Sequence, residues 1–198
     1  MSPDEIRACL ASVVGGSEVV YGEEVVGILA QPPVPAAVLV PIILRDDPAL
    51  LLTKRTSHLK KHAGQVSFPG GRIDPGDDNP TAAALREAQE EIALDPARVE
   101  IIGRMDDYIT GTGYIITPVI GLLPPGLRFD PSPDEVESVF EFPFSVLLDP
   151  EAPRRQKQHV RGRWREYWVW PHPEHFIWGA TAAIMHHLAG KLRCASPK

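Results

Sequence analysis

Arg86, Glu87, Glu90 and Glu91 stand close together in the segment ALREAQEEIAL. At about 100° per residue, a helix here gathers Ala83, Glu90, Glu91 and Leu94 within about 60° of Glu87. Thr81, Leu85, Ala88 and Ile92 fall on a second arc, which is expected to face a core. Glu87 and Glu91, one turn apart, repel by about 0.2–0.5 kcal/mol when nothing neutralises them, and few lysines lie nearby. A hard divalent cation reverses the sign of that interaction, because Mg²⁺ and Mn²⁺ prefer carboxylate oxygens. Arg86 precedes Glu90 by one turn and can hold its carboxylate in an ion pair. The competing reading is an ordinary solvated acidic face, and the residues just upstream weigh against it. Phe68-Pro69-Gly70-Gly71 predicts a rigid turn whose glycines bring backbone close to a ligand. The expected metal ligands are therefore Glu87 and Glu91, then Glu90, with the backbone carbonyl of Gly71.

Several elements must hold this helix in place. Ser2–Val14 predicts an amphipathic helix capped by Ser2, with Pro3 in its first turn, and Gly15-Gly16 ends it. Val34–Leu44 reads as a buried strand in which Pro41 marks a bulge or an edge. Ala49–Arg55 predicts a strand pairing back onto it, followed by a basic loop over Thr56–Ala63. Beyond the acidic helix, Val99–Tyr108, Tyr114–Leu122 and Glu135–Phe142 predict strands, and Phe144–Leu148 a short helix. Arg154–Val160 and Arg163–Trp170 predict a hairpin turning at Arg161-Gly162. Ile177–Leu188 has helical spacing. This order indicates an α+β fold layered α-β-α.

Composition narrows the function classes. The chain has 198 residues, 43% hydrophobic and 23% charged, in the range of an ordinary globular domain. A net charge of −6 disfavours nucleic acid backbones and anionic membranes as partners. An anionic substrate then needs local cations, and Arg55, Lys60, Lys61 and His62 are at hand, with Gln65 and Ser67 as polar contacts. Each lysine taken alone reads equally well as a solvated loop residue. Cys9 and Cys194 predict free thiols in a reducing compartment. The first residues lack the pattern of a signal peptide, and no apolar run approaches the roughly 20 residues of a membrane span. A cytoplasmic protein without membrane partners is expected. His186-His187 lacks partners at metal spacing, and the four tryptophans read as core or contact residues before adenine-stacking ones.

The segment GG…REAQEEIAL resembles the signature of the Nudix hydrolases, in which a glycine is followed at set spacing by Arg-Glu-apolar-any-Glu-Glu-any-Gly-apolar. Arg86, Glu87, Ala88, Glu90, Glu91 and Leu94 match position by position. The stretch from Gly71 to Arg86 is one residue longer than the pattern, Asp77 or Asp78 replaces the loop glutamate, and Ala93 stands at the final glycine. Leu51–Gly71, LLTKRTSHLKKHAGQVSFPGG, further resembles the extra motif of the coenzyme A pyrophosphatase branch, with Thr56 and Lys60 as conservative departures. That branch tolerates the longer loop with aspartate. Phe176–Met185 resembles its C-terminal segment, so the likeness runs from about Pro33 to Leu188.

The resemblance implies a Nudix fold with a mixed central sheet. It also implies an N-terminal helix and arm over residues 1–33, a catalytic domain over 34–190 and a tail over 191–198. It implies Mg²⁺- or Mn²⁺-dependent hydrolysis of coenzyme A to 4′-phosphopantetheine and adenosine 3′,5′-bisphosphate. Arg86, Glu87, Glu90 and Glu91 carry the reaction in that reading. A distal acidic residue, Glu135 first and Glu137 second, serves as further ligand or base. Arg55, Lys60, His62, Gln65 and Ser67 are the substrate-binding candidates, in a monomer or homodimer. Two alternatives remain beside it: hydrolysis of another nucleoside diphosphate compound, such as a dinucleotide, ADP-ribose or a nucleotide sugar, and a non-catalytic nucleotide-binding module. The intact carboxylate set argues against the second.

Overall fold

The computed structural model describes residues 3–16, 18–22, 31–59, 62–160 and 163–195. Helix α1 (Pro3–Val13) and strand β1 (Val19–Tyr21) come first. Strands β2 (Val34–Ile43), β3 (Ala49–Arg55), β4 (Val66–Ser67) and β5 (Gly70–Arg72) lead into helix α2 (Pro80–Ile92). A 3-10 turn at Pro96–Arg98 precedes β6 (Glu100–Arg104), β7 (Asp107–Ile109) and β8 (Tyr114–Leu123). Next are β9 (Val136–Pro143), α3 (Phe144–Leu148), β10 (Arg154–Val160) and β11 (Arg163–Trp170). Strand β12 (Ile177–Trp178) and helix α4 (Gly179–Ala195) complete the order. The Ser2 cap and the Arg161-Gly162 turn lie outside the described residues.

Strand β2 is the centre of a mixed sheet because it is apolar on both faces. Ala37, Leu39 and Ile43 pack toward α2, while Val40 and Ile42 pack toward α1, α3 and α4. The α-β-α layering follows from those two cores. On one flank β2 runs parallel to β8 along its whole length, from Val34↔Tyr114 to Ile43↔Leu123. On the other it meets β5 over Ala36–Val38 and β3 only at Ile42 and Ile43. Pro41 is thus neither a bulge nor an edge residue. Leu39 N–H donates to Pro69 O at 2.8 Å on the β5 flank. Two residues on, the proline nitrogen points the same way, into the gap between the β5 and β3 pairings, so its missing donor falls outside both ladders.

Four other expectations change. Strand β3 touches β2 at two positions but pairs with β9 along its full length, from Ala49↔Pro143 to Arg55↔Val136. The strand expected over Val99–Tyr108 is two strands, because Met105 turns into the core, giving its N–H to Pro118 O, and Asp106 turns toward α4. The Gly70-Gly71 turn is strand β5, laddered to β2. Ile177 and Trp178 are not helical: they pair with Trp170 and Val169 as β12. Helix α4 also runs past Leu188 to Ala195, since Leu192 still reaches the core, and a fully buried leucine stabilises by roughly 1.5–3 kcal/mol.

The end of α2 carries a small strain. Ala93 caps it in the left-handed conformation (φ 53°, ψ 31°), its N–H bonded to Gln89 O, with Leu94 N–H on Ala88 O. A residue with a Cβ is disfavoured there, and the resembled pattern has glycine. Ala93→Gly is expected to stabilise the protein by about 0.5–1 kcal/mol. A higher urea midpoint at unchanged m value is the readout, and a lower midpoint contradicts it.

Candidate active site

Helix α2 starts where the sequence tells it to. Asn79 Oδ1 accepts the N–H groups of Thr81 (2.9 Å) and Ala82 (3.1 Å), and Pro80 occupies the first turn. Its seating on the sheet differs from the helical-wheel expectation. Ala83, Ala84, Ala88 and Ile92 are buried, whereas Thr81 and Leu85 are only partly covered. Small alanines let the helix approach β2 and β5 closely, so the arc holding Glu87 and Glu91 is pressed against β5. Glu91 is 2% exposed. An acidic face that reads as solvated on a wheel is half inside the protein.

Two glycines of β5 make room for that approach. A Cβ at Gly71 would come within 2.5 Å of the Glu87 carboxyl carbon, and one at Gly70 within 2.4 Å of Ala37 O. Close packing, not a turn, is what these positions require. Gly71 pairs with Ala37, in register with the flanking bonds Leu39 N–H→Pro69 O and Ile73 N–H→Pro35 O. Strand alternation therefore directs its polar backbone groups toward β2. Gly70 faces the other way and donates its N–H to Glu91 Oε2 at 3.1 Å. The backbone N–H that meets the carboxylates belongs to Gly70, one residue before the Gly71 whose carbonyl is the ligand expected from sequence.

Glu91 is also bonded to Arg55 Nη1 at 3.2 Å, and Arg55 Nη2 lies 3.8 Å from Glu135 Oε2. Burial pushes the Glu91 carboxyl up to about 7, against the lowering effects of Gly70 N–H and Arg55, and the charges of Glu87 and Glu135 add to the rise. Burial raises Glu87 as well, partly offset by its bond to Arg86. The structure thus brings Glu87, Glu91, Arg55 and Glu135 together. Glu137 is elsewhere engaged, 2.6 Å from Lys54 Nζ.

Arg86 is the brace of the arrangement. Its Nε and Nη2 form a fork on Asp77 (both 3.0 Å), Nη2 also reaches Arg72 O (3.1 Å), and Nη1 bonds Glu87 (3.0 Å) and Glu90 (3.1 Å). The expected Arg86–Glu90 pair is present, beside the bonds to Asp77, Glu87 and Arg72 O and a 3.8 Å contact with Asp74. Asp77, not Asp78, is the loop carboxylate that fills the glutamate's place, and hydrogen bonds to Arg86 and to Asp74 N–H hold its pKa below the usual range. Glu90 stays 59% exposed.

The substrate candidates separate. Arg55 is in the site. His62 (φ 55°) and Gln65 bond each other at 2.8 Å beside Gly64 (φ 67°), forming the turn that returns the chain to β4. Ser67 shares a 3.1 Å bond with the buried Thr53, a contact inside the β3–β4 pair. Lys60 and Lys61 lie outside the described residues. The C-terminal histidines have packing roles: His186 stacks on Trp168 at 3.9 Å, and His187 bonds the buried Asp106 at 3.0 Å. Asp106 also binds Lys191 at 2.9 Å, tying α4 to the sheet. Its significance was invisible in sequence because its partners are some 80 residues away.

The donor set suits a hard cation. Glu91 is buried with Arg55 as its cationic partner, in the field of the Glu87 and Glu135 carboxylates, whose oxygens are the ligand type a hard cation prefers. Among the described residues, no three acidic or imidazole groups already stand together at metal-holding spacing. Glu87 and Glu90 are turned to Arg86, and Glu91 to Arg55. No helix among them is long and apolar enough to cross a membrane.

A family model described as the NUDIX domain matches residues 33–169. NudL of Escherichia coli O7:K1 (strain IAI39 / ExPEC), named an uncharacterized Nudix hydrolase, is 47% identical over 154 residues, 78% of this chain and 80% of its own. NudL of Shigella boydii serotype 4 (strain Sb227) matches with the same identity and coverage. A MutT/nudix family protein from Enterococcus faecalis has the same fold, with a TM-score of 0.51 at 15% identity over 83% of this chain and 64% of that one. The domain match runs from the start of β2 into β11 and takes in every partner of the Arg86 brace: this chain belongs to the Nudix family.

Proposed function

We propose that the protein is a Nudix pyrophosphohydrolase that uses Mg²⁺ or Mn²⁺ to cleave coenzyme A into 4′-phosphopantetheine and adenosine 3′,5′-bisphosphate. The observation that carries the hydrolase reading is the buried Glu91, held by Gly70 N–H and Arg55 beside Glu87 and Glu135. A divalent cation at such carboxylates neutralises pyrophosphate oxygens and lowers the pKa of a bound water. Glu91 and Glu87 are its first ligands, with Glu90 and the backbone of Gly70 beside them. Arg86 orients Glu87 and Glu90 through its shared Nη1. Glu135, on the loop before β9, is the further ligand or the proton acceptor.

Coenzyme A as substrate rests on the Leu51–Gly71 motif. That segment forms β3, the following loop, β4 and the start of β5, and delivers both Arg55 and Gly70 to Glu91. The motif that resembles the coenzyme A branch thus meets the carboxylates through Arg55 and Gly70. Product analysis tests the assignment: purified protein with Mg²⁺ or Mn²⁺ should release 4′-phosphopantetheine from coenzyme A faster than it cleaves NADH or ADP-ribose. Preference for either competitor would move the substrate to that class. Nucleotide binding without any turnover would leave a binding module.

A further inference from the structure

Arg55 occupies a position that two different cations want. Its guanidinium is partly buried, 3.2 Å from Glu91 and 3.8 Å from Glu135, while Glu91 itself is almost fully enclosed. Arg55 is the last residue of β3, where a register shift between Lys54 and Arg55 in the β3–β9 pairing sets it opposite Val136, next to Glu135. Its neighbour Lys54 goes to Glu137. Strand alternation thus divides two adjacent basic residues between two acidic ones, with the forked one on the buried carboxylate. A guanidinium satisfies such a carboxylate through directed N–H bonds. A divalent cation needs the same oxygen lone pairs, and the two charges repel strongly in a poorly solvated site.

We propose that Arg55 is a displaceable counter-ion: it neutralises Glu91 and Glu135 before metal binds, gives them up to the divalent cation, and then carries its charge to the anionic substrate. This rests on the carboxylate metal reading above, though not on coenzyme A being the substrate. It assigns to one residue the two tasks of keeping the metal-free site folded and binding phosphate afterward. It also sets an order, metal before substrate. The Arg55–Glu91 bond opposes metal binding, so the same interaction that stabilises the free protein weakens its metal affinity, by thermodynamic reciprocity.

The experiment compares the wild-type protein, Arg55→Gln and Glu91→Gln, using Mn²⁺ as probe, by calorimetric titration and by thermal melting with and without Mn²⁺. Arg55→Gln should bind Mn²⁺ more tightly, on the order of tenfold, as expected for loss of a charge-assisted bond. Its melting temperature should fall below wild type without metal, and the difference should close in saturating Mn²⁺. Its KM for the hydrolysed pyrophosphate compound should rise despite the tighter metal. Unchanged or weaker Mn²⁺ binding by Arg55→Gln overturns the exchange, as does a melting deficit that persists in Mn²⁺. An unchanged KM overturns the transfer to substrate. Undiminished Mn²⁺ binding by Glu91→Gln would instead remove the metal site itself, so the two failures are distinct.

Discussion

Glu91→Gln should abolish turnover and at the same time make the metal-free protein more stable at neutral pH. Loss of the buried ligand is expected to lower kcat on the order of 10³-fold, the scale seen when one preorganised charge contact is removed from a transition state. The stability gain follows from burial. Glu91 has an ordinary value of 4.5 and is pushed to about 7 in the fold. A carboxyl raised in this way favours folding fully below its unfolded value, and that contribution is lost as pH rises through the folded value. Ionising it in place therefore costs on the order of 3 kcal/mol by pH 8. Glutamine stays neutral and can still accept the Gly70 N–H. Melting curves should show the wild type losing stability between about pH 5 and pH 8, with the variant flatter across that range and higher at its alkaline end. Retained turnover would refute the ligand role. A variant less stable than wild type at pH 8 would refute the burial penalty.

Arg86→Ala should be the most damaging change to the site as a structure. It leaves Asp77, Glu87 and Glu90 without their shared cation and Arg72 O without a donor. Removing one member of a partly buried ion-pair set costs about 2–3 kcal/mol here, at the low end for such sets because Arg86 reaches solvent. Activity should drop on the order of 10²–10³-fold, since Glu87 and Glu90 lose their orientation. Arg86→Lys keeps the charge but cannot form the fork on Asp77, so it should recover much of the stability and little of the rate. Urea denaturation and steady-state kinetics on both variants separate these effects. Equal activity of the lysine variant and wild type would show that charge alone suffices.

Local chemistry made a large part of the protein legible. Strand β2, α3 and the β10–β11 hairpin lie where β-branched runs, short apolar turns and alternation placed them, because those signals are read within a few residues. Long-range pairing was not legible in the same way. Strand β3 reads as half of a hairpin with β2, yet β9 lies beyond it in the sheet and takes its whole length. Ile177-Trp178 reads as the start of a helix, yet the edge of β11 captures it.

By itself the sequence determined that Arg86, Glu87, Glu90 and Glu91 share a helix and that Arg86 meets Glu90. Helical periodicity and one-turn spacing are local properties, so they survive without knowledge of the fold. Only the tertiary structure decided which carboxylate is buried. The wheel puts Glu87, Glu90 and Glu91 on one arc, and the alanine-rich seating on β5 then leaves Glu91 enclosed and Glu90 in solvent. It also decided between Asp77 and Asp78, between Gly70 and Gly71, and the place of Arg55. Each of those choices depends on which way a strand or loop residue points. A shift of one residue reverses that direction, and only pairing with a distant strand sets the register.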